Sequence, residues 1–296
     1  MRILITGGRG FVGKHLTKFL GKAESDSEIL STGREYDLTD PIAAKELLGR
    51  RGKFSHIYHL ADVSGNARWS EANSGDQFIA NAKISLNLLE AATTFQPQAR
   101  IVGLSSLWAY PESVKTASER QYWDGPLHLP TQHYGANKRF FWSGLQACKQ
   151  QYKTLGTTLV LGSVYGPGDH SDHVIPSLIA RMKNNPDLLK IWGDGTQVRD
   201  FIFVEDQVRA IYLHRNFDGD LLNISSGASY SIRDVVETLT NLMSYRGRIV
   251  YLGPASKGKD NRRIDVTAAT GLTGWPKDHR LLSLEDGLKA TLEGQI

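Results

Sequence analysis

The sequence predicts an α/β protein: a doubly wound parallel sheet followed by a smaller C-terminal α/β lobe. Three observations predict it. Short apolar runs alternate with stretches of helical period, the first run ends in a glycine cluster, and after Gly162 the alternation breaks up. Residues 2–6 form a continuous apolar run, as a strand buried on both faces requires. Residues 11–20 read as a helix, 28–32 as a second strand, 41–48 as a second helix and 56–60 as a third strand. Over 77–94, Phe78, Ile79, Ala82, Leu86, Leu89 and Ala92 recur at helical spacing. Residues 100–105 read as a fourth strand, 134–152 as a long helix and 157–161 as a further strand. Strands alternating with helices imply a parallel sheet, because each parallel connection needs a crossover. Gly, Pro and Asp then cluster at Tyr165-Gly166-Pro167-Gly168-Asp169, and short mixed elements follow. The expected division is 1–162 for the sheet domain and 163–296 for a lobe over the sheet's carboxyl edge, with some segments returning to the sheet.

A chain of 296 residues is long enough for a large core. Its 40% hydrophobic and 22% charged residues are ordinary for a globular protein. The net charge of +4 is modest and no Lys/Arg run occurs, so no nucleic-acid partner is expected. The single cysteine, Cys148, excludes an internal disulfide framework and fits a reducing compartment. No apolar run reaches the ~18 residues of a membrane span, and the N-terminus opens on a strand rather than a signal peptide. A cytoplasmic protein with no membrane partner is expected. His56, His59, His128, His133 and His170 show no spacing with acids or cysteine that suggests a metal site, so none is expected.

Gly8-Arg9-Gly10-Phe11-Val12-Gly13 fits the G-x-G-x-x-G pattern, and Gly7 adds a wider glycine spacing. A pyrophosphate must reach backbone N–H groups at a helix N-terminus, which requires a tight strand-to-helix turn and close helix packing. Alone the pattern is weak; directly after a strand and opening a helix it is strong. It predicts a Rossmann-type dinucleotide cradle. An acid at the end of the second strand would hold a ribose 2′-OH. Here the segment is Ser31-Thr32-Gly33-Arg34, with no acid before Glu35. Arg34, with Arg9, suits a 2′-phosphate instead, which favours NADP(H). Asp37 and Leu38 are placed at the adenine edge. Two solvated surface arginines are the competing reading.

Tyr134 and Lys138 lie one helical turn apart and share a face. A nearby ammonium stabilises phenolate and lowers a tyrosine pKa from about 10, making the phenol a usable acid or base. Ser106, at the tip of a predicted strand, is placed to bind a substrate carbonyl oxygen, with Ser105 beside it as an accessory. Tyr-x-x-x-Lys by itself is common on helices, usually as a solvated pair. The serine pair and the glycine loop together point to carbonyl reduction.

Further stretches carry a family resemblance: Leu104-Ser105-Ser106-Leu107-Trp108-Ala109-Tyr110-Pro111, Asn81 with Asn87-Leu88-Leu89-Glu90-Ala91, Val164-Tyr165-Gly166-Pro167, and Arg199-Asp200-Phe201 with Val204-Glu205-Asp206. Asn223-Ile224-Ser225-Ser226-Gly227 and Asp265-Val266-Thr267 before Gly274-Trp275 extend it over essentially the whole chain. These residues resemble the extended short-chain dehydrogenases/reductases of the NAD-dependent epimerase/dehydratase family, which act on nucleotide sugars. Asp172-His173-Val174-Ile175-Pro176, Ile191-Trp192-Gly193 and 245–250 are similar to the branch that epimerises and reduces GDP-4-keto-6-deoxymannose with NADPH.

The resemblance implies catalysis by Ser106, Tyr134 and Lys138. It implies further cofactor contacts from Leu60, Ala61, Asn81 and Val164. Substrate contacts would come from Trp108, Ser163, His173, Trp192, Arg199 and Arg262, with Arg199 on the pyrophosphate and Trp192 near the base. Ser163 stands where the family usually has asparagine. The branch uses a cysteine and a histidine to epimerise C3 and C5; His173 matches the histidine, but Trp108 takes the cysteine's place. Leu107-Trp108 also replaces the Asp-Glu pair of the dehydratases. The reading is therefore an NADPH-dependent reductase of a GDP-linked 4-keto-6-deoxy sugar that epimerises poorly. The alternatives are a 4-epimerase with tightly bound NAD, a bifunctional epimerase-reductase, and a scaffold that kept the fold without the chemistry. Family members pair the helices at 77–94 and 134–152 across a two-fold axis, so a homodimer is expected.

Overall fold

The computed structural model describes residues 1–253 and 261–294. Its first half alternates β1 (Arg2–Thr6), α1 (Phe11–Ala23), β2 (Glu28–Ser31), α2 (Pro41–Arg50), β3 (His56–His59), α3 (Ala67–Ala72), α4 (Ser74–Phe95), β4 (Arg100–Ser106), β5 (Thr116–Ala117), α5 (Gln132–Tyr152) and β6 (Leu155–Leu161). The short helix α3 has no counterpart among the sequence expectations.

The remainder comprises β7 (Ser163–Tyr165), α6 (Val174–Asn184), β8 (Leu188–Ile191), β9 (Val198–Phe203), α7 (Val204–Leu213), β10 (Leu221–Ile224), β11 (Ser229–Ser231), α8 (Ile232–Leu242), β12 (Arg248–Tyr251), β13 (Arg263–Ile264), α9 (Thr267–Thr273) and α10 (Leu284–Glu293).

Six strands pair in parallel in the order β10-β6-β4-β3-β1-β2, a Rossmann-type doubly wound sheet. Successive side chains on β1 supply both faces, which is why it reads as a continuous apolar run. Leu4 packs with Leu47, Leu48, Leu88, Leu89, Phe141 and Leu145 under α2, α4 and α5. Ile3 and Ile5 pack with Leu16, Leu20, Val208, Ile211 and Trp275 on the opposite face. Trp275 is fully buried, and its indole N–H donates to the Ser225 carbonyl (2.8 Å). The strand order reverses between β1 and β3, so the crevice where open α/β sheets bind ligands lies at the carboxyl ends of these two strands. A third core joins α6, α8 and α10 to β8 and β9 through Leu178, Ile191, Phe201, Val235, Leu239 and Leu288. β9 runs alongside β7 and leads into α7, which packs on α1.

His59 closes the sheet layer beneath the crevice. Its Nδ1 shares a hydrogen bond with the Thr6 hydroxyl (2.8 Å), and its ring lies 5.0 Å from that of Phe141. Burial, helped by the Lys138 charge, pushes its pKa down to about 3. Burial also lowers His56 and His214. An unfolded histidine takes up its proton near pH 6.5, well before the folded His59 does, so the contribution of neutral His59 is complete above that pH and lost as pH falls below it. The melting temperature should drop between pH 6.5 and 5, and His59→Gln should flatten part of that slope in a pH series of thermal melts. An unchanged slope would show that His59 does not set it.

Candidate active site

The exit of β1 is shaped by close approach. Gly7 has φ +67°, and a Cβ there would lie 2.6 Å from the Ala61 nitrogen at the end of β3. The loop thus lies directly on Leu60 and Ala61. Gly10 caps α1 without a side chain, Phe11, Val12 and Gly13 form its first turn, and no acid sits in that turn. These first-turn N–H groups and the helix dipole make an anion site. His15 in α1 bonds the Pro167 carbonyl through Nε2 (3.0 Å), tying the cradle to the segment after β7, which carries Ser163 and Val164.

Beyond β2, Arg9 pairs with Glu35 (3.0 Å), and both are solvent-accessible. Arg34 is exposed, and among the described residues no ion pair involves it. Asp37 accepts from the Thr39 N–H (2.9 Å) and hydroxyl (2.8 Å), which lower its pKa. Leu38 turns into the core, and its carbonyl accepts from Asn87 (2.8 Å). A bare helix N-terminus and an unpaired guanidinium past β2 fit a dinucleotide carrying a 2′-phosphate.

The second cluster forms where α5 meets the end of β4. A Cβ on Gly135 would collide with the Trp108 carbonyl, so glycine there lets the turn after β4 press against α5. That contact brings Ser106 to Tyr134. The Ser106 side chain stands close enough to the Tyr134 phenol to oppose the rise in its pKa, and its hydroxyl accepts from the Trp108 N–H (3.3 Å). The Lys138 ammonium lies 5.2 Å from the centre of the Tyr134 ring. Ser105 points the other way, as the next residue on a strand must. It bonds the buried Tyr122 hydroxyl (2.8 Å), which separates it from the Ser106 cluster it was expected to join.

The structure adds Asp62, which the sequence reading missed. Its Oδ2 lies 2.9 Å from the Lys138 Nζ, and both side chains are less than one-fifth exposed. The only sequence signal was a carboxylate just past the end of a buried parallel strand, where ligands bind. Asp62 also reverses an expectation. Burial, the Asp62 charge and a hydrogen bond to Asp62 raise the Tyr134 phenol well above its ordinary value, outweighing the opposite effect of Ser106. Lysine alone would lower it; here the ammonium is matched by a carboxylate that also faces the phenol. Asn81 directs its carboxamide to the Val63 main chain, accepting from its N–H (2.7 Å) and donating to its carbonyl (2.9 Å).

Around Trp108 three cationic or titratable groups gather. The Arg262 guanidinium lies 4.8 Å and that of Arg199 5.8 Å from its ring, and the His128 ring lies 5.1 Å away. Main-chain bridging of Arg199 and Arg262 holds the pair together. Trp192 is exposed beneath the Arg68 guanidinium (4.0 Å). His173 stands exposed at the N-cap of α6, where its N–H donates to the Ser171 hydroxyl (3.4 Å). Among the described residues no cluster of His, Cys, Asp or Glu is placed to hold a metal ion.

A glycine cradle at the switch point, with a Ser-Tyr-Lys cluster beside it, defines the class: a dinucleotide-dependent α/β enzyme. The chain belongs to the NAD dependent epimerase/dehydratase family, which matches residues 3–225. It is similar to the GDP-L-fucose synthase of Escherichia coli K12, at 25% identity over 99% of this chain and 95% of the relative. Among solved structures it resembles the GDP-mannoheptose C4 reductase from Campylobacter jejuni with NADP bound (24% identity, TM-score 0.85, 99% and 97% of the two chains). It also resembles the UDP-glucose 4-epimerase from Thermotoga maritima with UDP-glucose (27% identity, TM-score 0.84, 99% and 98%).

A guanidinium–phosphate pair is a charge-assisted contact of about 1.5–3 kcal/mol. Arg34→Ala should therefore weaken NADPH binding roughly tenfold or more while leaving NADH within about twofold, by fluorescence titration. Equal loss for both cofactors would make Arg34 a surface charge only.

Proposed function

We propose that this protein is an NADPH-dependent reductase of a nucleotide-linked, GDP-type 4-keto-6-deoxy sugar, acting at the C4 carbonyl without efficient epimerisation at C3 and C5. The observation that carries this reading is the convergence of Ser106, Tyr134 and Lys138 beside the glycine cradle, with Trp108 where an epimerising acid would stand. Residues 1–162 serve the cofactor and 163–296 mainly the sugar nucleotide. The first turn of α1 holds the cofactor pyrophosphate and Arg34 its 2′-phosphate, while Lys138 holds the nicotinamide ribose. When bound, NADPH supplies the hydride. Ser106 orients the substrate oxygen, and Tyr134 delivers the proton to it. Arg199 and Arg262 hold the substrate diphosphate, and Trp192 lies near the base.

Inverting a carbon beside a ketone needs a base on one face and an acid on the other. His173 serves at most as one of them, and an indole N–H is neither acidic nor basic near neutral pH.

The test of the reading is turnover of a GDP-4-keto-6-deoxy sugar with NADPH in D₂O, followed by NMR of the product. NADPH oxidation with no solvent deuterium at C3 or C5 is expected. Deuterium and inversion at both carbons, at the rate of NADPH consumption, would make the enzyme bifunctional. Tyr134→Phe should lower kcat by about 10²–10⁴ while both ligands still bind, because only the transferable proton is lost. Retention of most of the rate would remove Tyr134 as the acid.

The protein also acts as a homodimer on this reading. Phe78, Ile79 and Leu86 of α4 and Phe140 of α5 are large apolar residues exposed on two helices that pack together. Light scattering should give twice the monomer mass, and Ile79→Lys with Leu86→Lys should give a monomer. A wild-type monomer at micromolar concentration would exclude the dimer.

A further inference from the structure

We propose that His15 is a positioning residue for substrate binding: from the cofactor helix α1 it holds the loop after β7 by its main chain, so that NADP(H) on the glycine cradle orders the substrate side of the cleft. The inference rests on the reductase reading and deepens it, by coupling the two ligands of that site.

His15 opens the second turn of α1, directly behind the first-turn N–H groups that form the anion site. It is only 3% exposed, and its Nε2 lies 3.0 Å from the carbonyl of Pro167, 152 residues away in sequence. A carbonyl oxygen only accepts, so Nε2 carries the proton and donates it. The ring meets that of Phe11 edge-on, with centroids 5.6 Å apart, which braces the imidazole against the first turn. Burying an imidazole without a partner costs free energy, and the bond to Pro167 offsets that cost. A leucine would fill the same space without incurring it. Packing alone is therefore a weak reason for a histidine here.

The loop that His15 holds joins β7, which ends at Tyr165, to α6, which begins at Val174. Its own hydrogen bonds are local. The Asp169 N–H donates to the Gly166 carbonyl (3.3 Å), the Ser171 N–H to the Asp169 carboxylate (3.0 Å) and the His173 N–H to the Ser171 hydroxyl (3.4 Å). The bond from His15 reaches out of the loop to the helix that carries the cradle. The loop is flanked by residues proposed to meet the ligands: Ser163 and Val164 before it, His173 at its end. α1 reaches the C-terminal half a second way, because Leu16 and Leu20 pack with Val208 and Ile211 of α7. α7 follows β9, the strand that carries Arg199. One helix thus braces two segments on the substrate side, the loop through a hydrogen bond and β9 through the packing of α7.

The consequence is linkage between the ligands. A pyrophosphate drawn to the N-terminus of α1 restrains that end of the helix. His15 passes the restraint to Pro167, which leaves the loop fewer conformations to lose when a sugar nucleotide binds. By reciprocity the sugar nucleotide tightens the cofactor by the same factor. His15 touches neither reacting atom, so the proton and hydride steps stay with the groups described above.

The experiment is hydrogen–deuterium exchange on the whole protein with and without NADP⁺, in wild type, His15→Ala, His15→Leu and His15→Gln. NADP⁺ should slow exchange over residues 7–16 in all four. In wild type it should also slow exchange over residues 168–177. Alanine and leucine should abolish this second protection and keep the first. Glutamine retains an N–H donor and should restore part of it. The leucine variant keeps apolar volume at position 15, so the comparison survives an alanine variant that fails to fold. Protection over 168–177 that persists in His15→Leu, or that wild type never shows, would overturn the proposal. A lower melting temperature with both protections intact would make His15 a packing residue and overturn it as well. In calorimetry, NADP⁺ should tighten GDP binding about tenfold in wild type and by less than about twofold in His15→Leu. Equal tightening in both would also count against the proposal decisively. The exchange measurement needs no sugar nucleotide, so a protein that binds no GDP would defeat the GDP-type reading while the role of His15 is still decided.

Discussion

Much of this site depends on one close contact, the exit loop of β1 resting on the exit of β3. Gly7 lies against Leu60 and Ala61 with no room for a Cβ. The contact fixes the first turn of α1, and with it the anion site, relative to the residues after β3. Asp62 is the next residue along, and through Lys138 and Tyr134 it reaches α5. A side chain at position 7 would therefore disturb the phosphate cradle and the proton donor together, although they lie far apart in sequence. Parallel sheets favour this economy, because every strand delivers its next loop to the same edge.

Charge at that edge decides what the fold does. A Ser-Tyr-Lys cluster serves reductases and epimerases alike, and it does not by itself set a direction. The Lys138 ammonium, left alone, would favour phenolate and reversible chemistry. Here the ammonium is paired with the Asp62 carboxylate at 2.9 Å. On the proposed reading, this chain's own direction is set by the groups around that cluster, among them the indole of Trp108 beside the serine.

The sheet domain was legible because its strands are buried on both faces. β1 reads as an apolar run, and α4 keeps a helical period. The boundaries moved by a few residues; α4 begins at Ser74, and β6 at Leu155. α3 escaped because six residues are too few to show a period. The C-terminal lobe was readable only as loosened order. Its strands are two to six residues long, and several pair with partners remote in sequence: β12 with β8, and β13 with β5. In the site, Ser106, Tyr134 and Lys138 were visible through spacing and strand position. Ser106 was chosen over Ser105 from the sequence, and the alternation of the strand turns the accessory Ser105 towards Tyr122. Asp62 was invisible because a lone acid after a strand has no motif, and its partners lie on α5. With it went the sign of the Tyr134 shift.

Trp108 packs against two cations. Arg199 and Arg262 are joined through a main-chain bridge. The indole presents its π system to both, at 5.8 and 4.8 Å. Each such contact is worth about 0.5–2 kcal/mol, more as water is excluded. A cysteine at this position would offer a proton but no such surface. On the proposed reading, the side chain in the epimerising residue's place is also the one that packs against the two arginines proposed to bind the diphosphate. Under that reading a small inert residue in the same place would leave the proposed chemistry unchanged but take this surface from both arginines, which is an argument for tryptophan there.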